Sequence, residues 1–148
     1  MTEVSLREVT AETVRQICRL RVAPDQEQFV APNAISFAEA LFHATAWFRA
    51  IYAGDEPVGF VMLDDNPDKP EYYLWRLMLD AGQQGKGYGR RAVELVIDYV
   101  TTRPGATDLR VSWVPGDGGP EGFYHSLGFE PTGEIDDGEV VARLLLDR

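Results

Sequence analysis

The 148-residue chain has one cysteine, Cys18, and two histidines, His43 and His125. A single thiol excludes an internal disulfide framework and suits a reducing compartment, so a cytoplasmic location is expected. One cysteine and two histidines far apart in sequence do not form a Cys/His metal cluster, and no metal is expected. Long apolar runs are missing too. Nothing reaches the ~18 residues of a membrane-spanning helix. The opening Met1-Thr2-Glu3-Val4 has no basic region followed by an apolar stretch, so neither a secretory signal nor a membrane partner is expected. Basic side chains are few: 14 Lys and Arg stand against 24 Asp and Glu, for a net charge of −10. That balance disfavours nucleic acid as a partner. It favours cations, because an acidic surface concentrates polyamines and other basic substrates, although it also serves plain solubility. Repeats, low-complexity tracts and inter-domain linkers are absent, and a hydrophobic content of 45% is enough for one core. A single domain over residues 1–148 is expected.

The scarce positive charge is concentrated in one place. Residues 84–91 read Gln-Gly-Lys-Gly-Tyr-Gly-Arg-Arg. An apolar run of strand character, residues 72–79, leads into this stretch, and a helical periodicity, residues 92–100, leads out. Alternate glycines open backbone conformations closed to other residues and let a ligand come close. A helix starting there turns unpaired N–H groups and the positive end of its dipole toward an anion. Lys86, Arg90 and Arg91 add mobile charge. The stretch reads as a pyrophosphate cradle.

Around it the chain divides into short elements. Residues 4–9 read as a strand, and Thr10 is placed to cap a helix reaching Arg21, with Val14, Ile17, Cys18 and Val22 on its apolar face. Cys18 there reads as core packing. Pro24 stops the helix, and residues 25–33 read as a loop. Ser36-Phe37-Ala38-Glu39 has the form of a capping box opening a short helix through Ala44. Residues 46–53 and 58–63 form a hairpin about Gly54-Asp55, and residues 64–70 a surface loop. The helix after the glycine stretch buries Ala92, Leu95, Val96, Tyr99 and Val100. Residues 109–114 form a parallel strand, Pro120 starts a helix and Gly128 ends it, and residues 129–132 and 139–146 pair as a hairpin. The order β-α-α-β-β-β-α-β-α-β-β predicts an α/β fold, a mixed sheet with helices on both faces.

Gln84, Gly87 and Gly89 fit Gln-x-x-Gly-x-Gly. The strand Tyr72-Tyr73-Leu74-Trp75-Arg76-Leu77-Met78-Leu79-Asp80 precedes it, and Phe123-Tyr124-His125-Ser126-Leu127-Gly128-Phe129 follows. Together these resemble the phosphate loop, fourth strand and "FYxxLGF" segment of the GNAT superfamily of N-acetyltransferases, which binds acetyl-CoA. Gln26-Glu27-Gln28-Phe29-Val30-Ala31, the Tyr-Leu-Trp-Arg strand, and the ending from Thr132-Gly133-Glu134 to Gly138-Glu139 are similar to bacterial spermine/spermidine acetyltransferases. The resemblance implies the superfamily's fold and transfer of an acetyl group from acetyl-CoA to a primary amine, with a polyamine as the acceptor. It also implies the site. Leu77, Met78 and Leu79 would give backbone groups to the pantetheine arm. Gln84, Gly85, Lys86, Gly87, Tyr88, Gly89 and Arg90 would hold the pyrophosphate. Tyr124 would be the general acid beside the thioester sulfur.

The proton acceptor is not legible. Many relatives carry a glutamate within the fourth strand; this chain has only Glu71, at the strand's start. Asp25, Glu27, Glu39 and Glu71 are candidate ammonium-binding carboxylates, with Glu27 the strongest. Trp75, like Trp47 and Tyr73, is a candidate for an apolar or cation–π contact with substrate. Either role competes with surface or core duty. His125 reads as a rim or surface residue. A homodimer is open, since dimers are common in the family resembled.

Other readings remain beside this one. Gly87-Tyr88-Gly89-Arg90-Arg91-Ala92 fits a dinucleotide fingerprint, but the gap from strand to first glycine is too long for its tight turn. A Walker loop needs Ser or Thr after the lysine, and Gly87 stands there. The acceptor could instead be a protein N-terminus, a lysine or an amino-antibiotic. A non-catalytic acetyl-CoA-binding module would keep the cradle and need no proton acceptor.

Overall fold

The computed structural model describes residues 2–146; Met1, Asp147 and Arg148, the ends of the expected 1–148 domain, lie outside them. Seven strands form one mixed sheet in the order β1-β2-β3-β4-β5-β7-β6. In chain order the elements are β1 (Val4–Arg7), α1 (Val14–Arg19), a 3-10 segment (Pro24–Phe29), α2 (Asn33–Ala40), β2 (Ala46–Ala53), β3 (Glu56–Asn66) and β4 (Glu71–Leu79). A second 3-10 segment (Ala81–Gln83), α3 (Tyr88–Thr101), β5 (Asp108–Trp113), α4 (Glu121–Ser126), β6 (Glu130–Asp136) and β7 (Glu139–Leu145) follow. The order of strands and helices is the one the sequence predicts.

Side-chain alternation explains why helices sit on both faces. Ile51, Ala53, Val61 and Leu63 pack on one face with Ala92, Val93, Val96 and Val100 of α3 and with Tyr124 of α4. Ala50, Tyr52, Phe60 and Met62 point the other way, to Ile17 of α1 and Phe37 of α2. The strands β2 and β3 are therefore buried on both sides, which their near-continuous apolar runs require.

Several boundaries differ from expectation. The first helix does not begin with a Thr10 side-chain cap. The Thr10 amide instead donates to Thr13 Oγ1 at 2.9 Å, the reverse of a cap, and the first helical residue is Val14. The expected 25–33 loop contains a 3-10 turn, opened by Pro24 with its fixed φ. Ser36 is not a cap either. It lies a turn inside α2 and is fully buried, and Asn33 opens the helix, its Nδ2 donating to the Ile17 carbonyl at 2.9 Å. The helix also ends at Ala40 instead of Ala44. Finally, Asp64 and Asp65 belong to β3 and not to the surface loop. Thr45 donates to Asp64, while Tyr99 and Arg103 both donate to the buried Asp65.

Candidate active site

β4 divides at one residue. Against β3 its register runs Met62↔Arg76 and then Leu63↔Leu74, so Trp75 is an extra residue on β4, a bulge. On its other edge β4 pairs with parallel β5 only at Tyr73↔Arg110 and Leu74↔Val111. A bulge bends its strand away from its neighbour. The two strands part at the bulge and leave a fork. Past Leu74, no strand among the described residues pairs with that edge of β4. Its N–H and C=O groups face a groove of about 890 Å³. An open strand edge can pair with any ligand that carries amides in an extended chain.

The glycine stretch closes one end of this groove. Gly85 and Gly87 have φ of +77° and +84°, and a Cβ at either would meet no atom within 4 Å. The left-handed backbone and the free space above it leave the loop amides approachable. Gly87 is the N-cap of α3, so the first free amides of that helix belong to the cradle. Gly89 lines the groove too and also serves packing. A Cβ there would lie 3.3 Å from Leu79 and 3.6 Å from Phe123, so its smallness lets α3 pack against β4 and α4. Gln84 ties elements together. Its Nε2 donates to the Leu79 carbonyl at 3.1 Å, and it exchanges two side-chain hydrogen bonds with Gln26, of 2.8 and 3.0 Å. Lys86 donates to Gln83 at 3.1 Å, its one side-chain partner among the described residues. Arg90 makes long bonds of 3.4 Å to Ser126 on α4, and Tyr88 lines the groove beside it. Leu77, Met78 and Leu79 all lie on the unpaired stretch of β4.

Tyr124 lines the same groove from α4, although it is only 6% exposed. Its ring stacks on Trp113 of β5, with centroids 5.6 Å apart, and meets Phe123 and Phe129 edge-on. The turn at Gly128, φ +101°, brings the Phe129 amide back to the Tyr124 carbonyl at 3.1 Å and fixes the tyrosine's position. Burial pushes its phenol well above the usual value. Among the described residues the hydroxyl has no hydrogen-bond partner, so it stands as a protonated donor turned to the groove.

The candidate carboxylates separate cleanly. Glu27 lines the groove from the 3-10 turn, which Phe29 anchors across the opening against Gly119, about 3.1 Å from a Cβ placed there. Glu39 does not line it; its carboxylate pairs with Arg76 at 2.7 Å. Glu71 is exposed at the far end of β4, opposite Asn66, and is not part of the groove. Asp25 is exposed outside it as well. Trp75 lines the groove at the bulge, with His43 edge-on at 4.9 Å. Trp47 is elsewhere, stacked on Tyr99. Tyr73 is half-buried; burial raises its phenol, partly offset by a hydrogen bond with Ser112. Two polar groove residues, Ser112 and Glu139, had no role assigned from the sequence. Ser112 Oγ donates to Glu139 Oε1 at 3.2 Å. The register of β5 against β7 brings them together; Glu139 lies in the ending that resembles the polyamine enzymes, but that resemblance gave it no role.

Among the described residues no three His, Cys, Asp or Glu side chains form a metal-holding group, and no helix is long and apolar enough to cross a membrane. No curated protein sequence matches the chain. Solved structures do match in fold. A domain from Methanocaldococcus jannaschii DSM 2661 has a TM-score of 0.79 at 16% identity, covering 99% of this chain and 100% of that one. The acetyl transferase of Salmonella typhimurium that modifies the N-terminal serine of 50S ribosomal subunit protein L7/L12 has 0.78 at 14%, covering 99% and 97%. Spermidine N-acetyltransferase from Vibrio cholerae, in complex with CoA and spermine, has 0.73 at 16%, covering 96% and 95%. The model of the acetyltransferase (GNAT) family matches residues 14–129, which takes in the fork, the glycine cradle and Tyr124, and the chain belongs to that family.

Proposed function

We propose that the protein transfers the acetyl group of acetyl-CoA to a primary amine, and that the amine is a polyamine such as spermidine or spermine. One observation carries the reading: a single groove contains the open glycine cradle, the unpaired edge of β4, the donor Tyr124 and the unpartnered carboxylate of Glu27. The open space over Gly85 and Gly87 and the free edge of β4 fit the pyrophosphate and amide-bearing arm of acetyl-CoA. The amides of residues 85–90 would hold the first and the backbone of Leu77, Met78 and Leu79 the second. When bound, acetyl-CoA supplies an acetyl group activated as a thioester.

The remaining work belongs to side chains. Tyr124 holds its proton at neutral pH because burial opposes the phenolate, and it can donate to a departing thiolate. Trp113, Phe123 and Phe129 hold the tyrosine ring, and so its hydroxyl, in place. On the acceptor side, the pairing of Arg76 with Glu39 offsets the charge of Arg76 beside the bulge, whereas Glu27 has no cationic partner among the described residues. A polyamine keeps its remote nitrogens charged while the reacting one must be neutral, so a carboxylate away from the thioester binds the chain without opposing the chemistry. The net charge of −10 draws such a cation in.

The test compares spermidine with a simple monoamine. Glu27→Gln should raise KM for spermidine several-fold more than for the monoamine, and wild-type kcat/KM for spermidine should fall as salt rises, over a screening length of ~8–10 Å. Equal effects on both amines, or none, would remove Glu27 from the acceptor site and favour a peptide N-terminus as acceptor.

A further inference from the structure

A primary amine with pKa near 10.4 is only about 0.04% neutral at pH 7, so the groove needs a group to accept its proton. The fourth strand offers no carboxylate there. The sheet register offers one from another strand. Trp75 on β4 and Ser112 on β5 are the first residues beyond the last β4–β5 pair, Leu74↔Val111, and so mark the base of the fork. Glu139 opens β7, reaches the groove, and accepts a hydrogen bond from Ser112 Oγ at 3.2 Å. The Ser112 hydroxyl also lies close enough to the Tyr73 phenol to offset part of the rise that burial gives it. This places the Glu139 carboxylate at the base of the fork. An arm held on β4 from Leu79 back to Leu77 runs away from the glycine cradle and toward this point.

Three observations give the carboxylate a task. Among the described residues Glu139 has no cationic partner, and Ser112 is the one side chain that hydrogen-bonds to it. The bond from Ser112 engages Oε1 and leaves Oε2 free. Fixed charges of both signs stand nearby, and none of them neutralises it: Arg110 on β5 pairs with Asp108 and Glu134, Asp136 lies opposite Glu139 on β6, and Glu27 and Arg76 face the same groove.

Resting on the acetyltransferase reading, we infer that Glu139 receives the reacting ammonium of the acceptor and takes its proton. One proton passes from R–NH₃⁺ to the Glu139 carboxylate, which later releases it to solvent. The neutral nitrogen forms a bond to the acetyl carbon, and the carbon–sulfur bond breaks. Tyr124 gives its proton to the departing sulfur and regains one from the second N–H of the nitrogen through groove water. The sum is one amide, one thiol and one proton released. Glu27 then serves the remote nitrogens of the acceptor and Glu139 the reacting one.

The test is Glu139→Gln, which keeps the shape and the Ser112 bond and removes the charge. With spermidine at pH 7, kcat/KM should fall about 10²-fold, and the deficit should shrink as pH rises toward the amine's own pKa, where no proton need be taken. Calorimetry without acetyl-CoA should show weaker spermidine binding to Glu139→Gln, while acetyl-CoA binding stays at the wild-type value. Glu139→Asp should restore part of the rate. Wild-type kcat/KM, a deficit that does not change with pH, or unchanged spermidine binding in Glu139→Gln each overturns the inference while leaving the acetyltransferase reading intact. A wild-type protein that acetylates no amine overturns both.

Discussion

Removal of the Tyr124 hydroxyl should separate chemistry from folding. Tyr124→Phe keeps the stack on Trp113 and the edge contacts with Phe123 and Phe129, because these involve the ring alone. The hydroxyl has no hydrogen-bond partner among the described residues, so the change breaks no bond and relieves a buried, unpaired polar group. Unfolding free energy should therefore stay within about 0.5 kcal/mol of wild type or rise. The catalytic effect should be larger. Loss of a placed proton donor costs roughly 10²-fold in kcat, which is about 2.7 kcal/mol at 1.36 kcal/mol per decade. Thiol release from acetyl-CoA at saturating amine measures kcat, calorimetry measures acetyl-CoA affinity, and thermal melting measures stability. The expected set is a low kcat with the other two unchanged. Full kcat in a folded Tyr124→Phe protein would refute the assignment, and a melting temperature lower by many degrees would show that the hydroxyl supports structure instead.

Gly87→Val should weaken acetyl-CoA binding at least about tenfold by calorimetry, since it places a branched side chain above the cradle; the left-handed φ of +84° adds roughly 1–2 kcal/mol of strain, so cooperative melting must be checked alongside. Asp65→Asn should cost about 1–3 kcal/mol in urea unfolding, because Arg103 and Tyr99 lose the charged acceptor they share. The same site sets an alkaline limit. The Tyr99 phenol is pushed up to about 12, first by burial and then by Asp65, so its contribution to stability is complete below pH ~10 and is lost as pH rises from there toward 12.

The sequence was most informative where pattern and function coincide. Near-continuous apolar runs in residues 46–53 and 58–63 marked the strands of a hairpin, and glycine with proline punctuation marked α4. The glycine cradle was legible because its backbone conformation requires glycine at 85 and 87. The start of α2 was misread because Ser36 and Glu39 mimic a capping box, while tertiary contacts decide otherwise. Ser36 is buried a turn inside the helix, and Glu39 pairs with Arg76, which is 37 residues away in sequence. Asp64 and Asp65 look like turn residues until α3 supplies Tyr99 and the turn after it supplies Arg103. The carboxylates of the site divided along the same line. Both Glu27 and Glu139 sit in recognisable segments, but the place of Glu139 in the groove follows from the pairing of β7 with β5, a long-range contact.

The most direct test of the central claim is thiol release from acetyl-CoA by the wild-type protein across a panel of amines that includes spermidine, spermine, a simple monoamine and a peptide N-terminus. The account predicts saturable turnover with the polyamines, with kcat/KM above that of the monoamine at low salt. No thiol release above background with any amine would contradict it.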